Sequence, residues 1–480
     1  MSLLSKDVFF SPVLDLARAI KTHELSPTEL VTAFLERIDT LNPTLNAFVI
    51  TDPERALAQA RSLEAEYPDL RPFAGVPIAI KDYRVAVDGL RLTNGSLLFG
   101  NYTPDYDSYI IRRLRNAGFV IVGRTNTPEF AILGITEPKR YGKSLNPWDY
   151  SRTCGGSSGG SAVAVAAGLV PVAHGSDGGG SIRGPAACCG IVGHKPSRGR
   201  ISPGPELGGS YLFTEGFLNR TVTDAACLLD VVSGVEIGDS WWSPPCGESF
   251  FDSLQKEVPS LRVGILTDSL MDFPVDSRNI DAVQKSAEIF QSHGHLITEV
   301  GLPHLSKHLF ETFLDVWCVG VAQTLRVGEM LSGIIAGPET IENLTSMMAD
   351  RGANLDAPSY AEALDELQRL ERKWAQALVD VDILISPVLS SRPFCVGEVE
   401  TGIRDWEIVI KNFAQGQFMF FANVGGQPSI SIPVGIADDG LPLSVQITGK
   451  PSRDDVVLLA AHFLESENIV GNLRPPRYSG

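Results

Sequence analysis

Gly155-Gly156-Ser157-Ser158-Gly159-Gly160-Ser161 runs directly into the alanine-rich stretch Ala162–Ala167. A second glycine–serine segment follows, Gly175-Ser176-Asp177-Gly178-Gly179-Gly180-Ser181-Ile182-Arg183-Gly184-Pro185. Glycines this dense allow dihedrals and close backbone approaches closed to other residues, at an entropic cost. Successive exposed N–H groups in such turns form anion-binding concavities. The anion is a phosphate or the oxyanion of a tetrahedral intermediate, and the serines favour the second. Neither segment ends in the Gly-Lys-Ser/Thr of a phosphate-binding loop, and a GxGxxG dinucleotide fingerprint is missing. Gly156-x-Ser158-x-Gly160 formally matches a nucleophile elbow. That motif needs an apolar strand before its serine, whereas Asp149–Cys154 is polar, and no downstream Asp…His pair stands out. A flexible linker would not carry two such loops around an apolar helix.

Outward from this centre, strand and helix signals alternate. Towards the amino terminus, Ser26-Pro27-Thr28-Glu29 is a capping box with proline at the first helical position. Leu30, Val31, Phe34, Leu35, Ile38 and Leu41 continue a helical stripe that Asn42-Pro43 is expected to end. A second helix is predicted over about Asp52–Glu66. Val76–Ile80 reads as a short buried strand leading to Lys81-Asp82, and Phe119–Val122 as another after a helix near Ile110–Asn116. Towards the carboxyl terminus, strands are expected at Leu261–Leu266, Ile383–Ser386, Ser429–Pro433 and Ser444–Ile447, with helices at Ile280–His293 and Tyr360–Leu378. Asp239–Val258 and Leu305–Gln376 read as insertions around a core. The alternation predicts a layered α/β fold.

Composition narrows the function. With 40 basic and 57 acidic residues the formal net charge is −17, which gives no electrostatic reason to bind nucleic acid or an anionic membrane. The one compact basic stretch, His194–Arg200, reads as a solvated loop. Seven cysteines without a CxxC pair suit neither a disulfide framework nor a zinc ribbon, and fit a reducing compartment. The amino-terminal residues lack the character of a signal peptide, and the apolar run Ala162–Ala173 is too short to span a bilayer. A cytoplasmic enzyme, monomeric or homodimeric, is the expectation.

The two segments together resemble the amidase signature family, whose GGSSGG motif is followed, 24 residues after its first serine, by the serine of a D-x-GGSIR segment. Ser157 and Ser181 stand 24 residues apart here. Gly75-Val76-Pro77-Ile78-Ala79-Ile80-Lys81-Asp82 is similar to the family's lysine motif. Gly123–Phe130, Asn146–Asp149, Gly190–Pro196, Asp382–Pro387, Asn423–Pro428 and Gly440–Gln446 extend the resemblance over about Ser11 to Ala460. It reaches in particular to stand-alone bacterial amidases of the aryl-acylamidase and nylon-oligomer-hydrolase kind. The implied fold is α/β, a large mixed β-sheet covered by helices on both faces. The whole of 1–480 would be one amidase domain: a helical segment 1–66, the signature core 67–235, a variable helical region 236–380, and the rest of the core sheet in 381–480.

The resemblance also implies roles. A serine needs a base, and no histidine offers itself; His174, the nearest, reads as a packed loop residue. In the family a neutral lysine takes the part. Lys81, at the end of an apolar strand, would be desolvated and its pKa lowered. Ser157 would relay protons through a cis peptide, and Ser181 would be the acyl-forming nucleophile. The N–H groups of Gly178, Gly179, Gly180 and Ser181 would form the oxyanion hole, braced by Ser158, Asp177 and Arg183. Glycine at 178 departs from the family's usual threonine or β-branched residue, and is expected to loosen that loop or enlarge the acyl pocket. Trp317, Cys318, Phe418 and Phe421 are expected in the variable wall of the substrate cleft. No metal or organic cofactor is implied. The expected reaction is hydrolysis of small aryl or aliphatic amides through an acyl-enzyme, with esters and carbamates as side substrates. The alternative is the glutaminase subunit of a tRNA-dependent amidotransferase, which works with a partner subunit.

Overall fold

Short apolar segments between glycines and prolines become the strands of one mixed sheet. The strands are β1 (Phe48–Thr51), β2 (Pro77–Lys81), β3 (Val120–Thr125), β4 (Val172–Asp177), β5 (Val192–Lys195), β6 (Thr214–Asn219), β7 (Arg262–Ile265), β8 (Leu296–Glu299), β9 (Ile383–Pro387), β10 (Ser429–Ile436) and β11 (Pro442–Gly449). Their order is β1-β3-β2-β4-β6-β5-β10-β11-β9-β7-β8. The structure is a computed structural model that describes residues 6–66, 71–467 and 473–478. The amino-terminal Met1–Ser5, read above for a signal peptide, and the first residues after the expected boundary at 66 lie outside them.

β2 sits between parallel neighbours β3 and β4, helices cover both faces of the sheet there, and all five of its residues are buried. Strand alternation then sorts its side chains. Ile78 and Ile80 join one hydrophobic cluster, with the helices Val13–Lys21, Tyr109–Ala117 and Val222–Val232. Ala79 joins the cluster on the opposite face, with the helices Pro53–Glu64 and Gly159–Ala166. Period-two alternation carries Lys81 to the same side as Ala79. That is the side of the helix whose first turn follows Ser157. Helices on both faces of a mixed sheet are the α/β architecture expected from the sequence.

A third cluster stands apart from the sheet's two faces. It is built mainly by the helices Lys307–Ser332, Asn343–Asn354, Ala357–Ala377, Trp406–Gln415 and Phe420–Val424, packed on Leu98, Phe99 and Phe130–Ile135.

Three local expectations change. The helix that begins at Pro27 passes through Asn42-Pro43 and ends at Leu45. Pro43 lies in its last turn, where it removes a single intrahelical hydrogen bond, and the stop is Asn46 in the left-handed region at φ 50°. The basic stretch His194–Arg200 is not a solvated loop. His194 and Lys195 lie on β5, and His194, Lys195, Ser197 and Arg200 are buried. Asp454 holds the last two in place, accepting from Ser197 N at 2.8 Å and Arg200 Nε at 3.1 Å. His174 is packed, as expected, but on strand β4, with Nε2 2.9 Å from Glu215 Oε2.

Candidate active site

Lys81 closes β2 with an ammonium that no solvent reaches. Its Nζ donates to Ser157 Oγ at 2.7 Å and to Ser176 Oγ at 3.0 Å. Burial pushes its pKa down to about 7, against the opposing pull of Glu215 and Asp177. Asp82 does not pair with it. Asp82 accepts from Thr93 N at 2.9 Å and from the Thr93 hydroxyl, and lies 4.0 Å from the Arg124 guanidinium. Ser157 lies one residue before Ser158, the N-cap of the helix Gly159–Ala166, and its peptide bond with Gly156 is cis. No side chain fits at several glycines of this loop. A Cβ at Gly156 would lie 2.4 Å from the Ile135 carbonyl oxygen, and one at Gly160 2.4 Å from Asn126 N. The chain is thus pinned where Ser157 meets β2.

The second segment turns off the end of β4 and is ordered by one carboxylate. Asp177 accepts from Gly180 N at 2.7 Å and Ile182 N at 3.1 Å. It also takes Arg183 Nε at 3.0 Å and Nη2 at 2.9 Å. Burial alone would raise the Asp177 pKa, but Arg183 and Lys195 outweigh it and hold the carboxyl well below the usual range. Arg183, fully buried, spends its remaining donors on Met419 O at 2.9 Å, Gln446 Oε1 at 2.7 Å and Asn423 Oδ1 at 2.7 Å. Ser158 ties the two segments together, donating its N–H to Ser181 O at 3.1 Å and its hydroxyl to Ser176 O at 3.3 Å.

This geometry changes the expected oxyanion set. The Gly180 N–H is committed to Asp177 and is not free for a ligand, while those of Gly178, Gly179 and Ser181 make no hydrogen bond to the described residues. Gly180 is glycine for another reason: at φ 122° its Cβ would meet Met419 Cε at 2.6 Å. Nor does glycine at 178 enlarge the pocket. A Cβ there would stand 3.2 Å from Trp317 Cζ3 and 3.3 Å from Phe213 Cβ, so those two side chains fill the space it leaves.

Ser157 and Ser181 open on a cleft of about 300 Å³ whose walls include Tyr83, Arg84, Phe213 and Trp317. A second, smaller cavity of about 40 Å³ touches Ser181 from the side of Gly179, Gly180, Phe413 and Met419, and Trp317 borders both. Ser181 is partly exposed, and its hydroxyl makes no hydrogen bond to the described residues. Of the four residues expected in the wall, only Trp317 lines the cleft. Cys318, Phe418 and Phe421 are fully buried in the third hydrophobic cluster. Cys318 follows Trp317 on one helix and so points about 100° away from it.

Several residues that organise the site carried no role in the sequence reading. Ser176 was visible within the second glycine–serine segment, and Asn423 and Gln446 within the late motifs, but nothing in the sequence pairs them with Lys81 or Arg183. Among the described residues no three His, Cys, Asp or Glu side chains cluster as a metal site requires. No described helix is long and apolar enough to cross a membrane.

Comparison with known proteins agrees with this architecture. The Amidase family model matches residues 29–458. The 6-aminohexanoate-cyclic-dimer hydrolase of Paenarthrobacter ureafaciens is 36% identical over 467 residues, covering 94% of this chain and 93% of that protein. A solved 6-aminohexanoate cyclic dimer hydrolase superimposes with a TM-score of 0.92 at 33% identity, over 98% of this chain and 99% of the other. A bacterial aryl acylamidase of the amidase signature enzymes does so with a TM-score of 0.87 at 25% identity, over 96% of each chain. One subunit of the glutamyl-tRNA(Gln) amidotransferase of Carboxydothermus hydrogenoformans is 33% identical over 491 residues, 98% of this chain and 99% of that one. The chain belongs to the amidase signature family. It is an enzyme of the class that hydrolyses the C–N bonds of amides.

Proposed function

We propose that the protein hydrolyses small aryl or aliphatic amides through an acyl-enzyme on Ser181. The observation that carries this reading is the buried Lys81–Ser157 hydrogen bond of 2.7 Å, with the lysine held near a pKa of about 7 beside the cleft that Ser181 lines. At neutral pH about half of such a lysine is unprotonated. Ser181 Oγ attacks the carbonyl carbon as its proton passes to Ser157 Oγ, whose own proton moves to the neutral Lys81 Nζ. The carbonyl oxygen gains the charge, and the uncommitted N–H groups of Gly178, Gly179 and Ser181 are the donors proposed to receive it. The C–N bond then breaks, the amine leaves with the proton returned along the same relay, and water repeats the sequence on the ester. Each oxyanion donor of this kind is worth about 2.7–4 kcal/mol.

A cleft of about 300 Å³ suits a small molecule. Esters and carbamates present the same carbonyl, and are proposed as side substrates. The test is a panel of 4-nitroanilides, primary amides, carbamates, esters and glutamine, run on the wild type and on Ser181→Ala. A fluorophosphonate with peptide mapping locates the nucleophile. Turnover of the anilides, lost in Ser181→Ala, with the label on Ser181, is the expected result. Full activity in Ser181→Ala, or label elsewhere, refutes the assignment. Hydrolysis confined to glutamine, with a co-purifying partner chain, would favour the amidotransferase relative instead.

A further inference from the structure

The wall of the cleft carries a cation without a counter-ion. Several cations around the site are matched, Arg183 with Asp177, Arg200 with Asp454, and Arg124 beside Asp82, while Arg198, over the Tyr211 ring, spends donors on the carbonyls of Asn423 and Val424. Arg84 is not matched, and no carboxylate among the described residues pairs with it. Its backbone lies in the left-handed region at φ 56°, an uncommon place for a side-chain-bearing residue, and is held there by donation of its N–H to Asn94 Oδ1 at 2.8 Å. The guanidinium is positioned by neutral groups only. Nε donates to Tyr83 Oη at 3.0 Å and Nη2 to Thr324 Oγ1 at 3.3 Å, while Cζ stands 4.8 Å from the Phe213 ring centroid. Nη1 has no partner among the described residues.

Two further donors on the same wall are unsatisfied. The indole Nε1 of Trp317 and the hydroxyl of Tyr211 are shielded from solvent and hydrogen-bonded to nothing, and both residues line this cleft. Buried polar groups are nearly always partnered, and an indole N–H can only donate. A ligand bringing acceptor oxygens would complete all three. Phe213 fixes the spacing, since its Cβ packs at Gly178 while its ring carries the Arg84 guanidinium. The cation therefore lies one side chain away from the glycine–serine turn.

We infer that Arg84, with the Trp317 indole and the Tyr211 hydroxyl, forms a carboxylate subsite, so that the preferred substrates are amides bearing a terminal carboxylate a few carbon atoms from the scissile bond. This deepens the amide-hydrolase reading and rests on it for the identity of the scissile bond. Guanidinium is suited to the task because it offers a planar pair of donors to a carboxylate.

The test uses two matched pairs of substrates. One carries the charge on the acyl side, N-(4-nitrophenyl)adipamic acid against N-(4-nitrophenyl)heptanamide. The other carries it on the amine side, N-hexanoyl-4-aminobenzoate against N-hexanoyl-4-toluidine. In one pair the wild type is expected to favour the charged member in kcat/KM by roughly tenfold or more, the effect of one charge-assisted hydrogen bond. Arg84→Met should bring that ratio close to one, and Arg84→Lys should retain part of it. Equal or inverted preference in both pairs, or a ratio unmoved by Arg84→Met, overturns the subsite. If no anilide is cleaved at all, the hydrolase reading fails separately, and the subsite is read by calorimetry of adipate binding to Ser181→Ala. Binding that disappears in Ser181→Ala/Arg84→Met supports it. Binding that is absent from Ser181→Ala, or equal in both proteins, overturns it.

Discussion

The two sides of the cleft are built differently. On one side, Lys81, Ser157, Asp177 and Arg183 are sealed from solvent, and most of their polar atoms have named partners within the protein. On the other, Arg84, Tyr211 and Trp317 leave donors unused, and the wall is held by the helix Lys307–Ser332 and the loop before β6. A fully satisfied buried network permits one geometry, which suits groups that must move protons over fixed distances. A wall with spare donors has room for a ligand to supply the rest. The contrast assigns reaction chemistry to the first side and choice of substrate to the second.

The most severe way to break this contrast is to remove the proposed base. Lys81→Met should lower kcat/KM by about 10²–10⁴-fold, with melting little changed because the substitution preserves apolar volume. A variant within tenfold of wild type would dissolve the distinction between the two sides. The pH profile gives the same answer by another route. With the unprotonated lysine as the proposed active form, kcat/KM should fall as pH drops through the Lys81 pKa of about 7, by about tenfold for each unit below it, and level off above it.

Next in size is the Asp177–Arg183 network. Arg183→Met strands a buried carboxylate and should cost about 3–5 kcal/mol in urea denaturation. Arg183→Met/Asp177→Asn should cost less than the two single changes combined, since they share one interaction. Additive losses would mean that the two residues do not act as a unit. A smaller effect is expected from Ser176→Ala, roughly five- to tenfold in kcat, the worth of about one hydrogen bond. Ser176 accepts from Lys81 and so favours its charged form. Its loss should therefore shift the acidic limb of the profile to lower pH.

The mildest change tests where the two sides touch. Gly178→Ala sets a methyl group against Trp317 at 3.2 Å and should reduce turnover by less than about tenfold. Trp317→Phe in the same chain should restore part of that loss. Failure of the rescue would show that Gly178 serves its own loop and not the indole.

Much of the first side was legible in the sequence. The separation of Ser157 and Ser181, the glycines around them and the apolar run before Lys81 all depend on local backbone constraints, which short motifs record directly. Strand β2 was visible because burial on both faces demands a continuous apolar run. Strand β4, with His174, Ser176 and Asp177, reads as a loop, because these residues are polar and the partners that bury His174 and Ser176, Glu215 and Lys81, lie far away in the chain. β8 escaped for the opposite reason: it is a short edge strand whose Leu296 faces solvent.

The sequence by itself determined the α/β class, the family, and the three residues proposed to carry the reaction. Only the tertiary structure decided which glycine N–H groups stay free, since Asp177 takes that of Gly180. It also decided that Cys318, Phe418 and Phe421 are core while Trp317 is wall, because a helix sends neighbouring residues in different directions and apolar composition does not say which faces the cleft. The unpaired charge on Arg84 was likewise out of reach. A counter-ion, or its absence, is a property of what other parts of the chain bring within about 4 Å, and no local pattern encodes that.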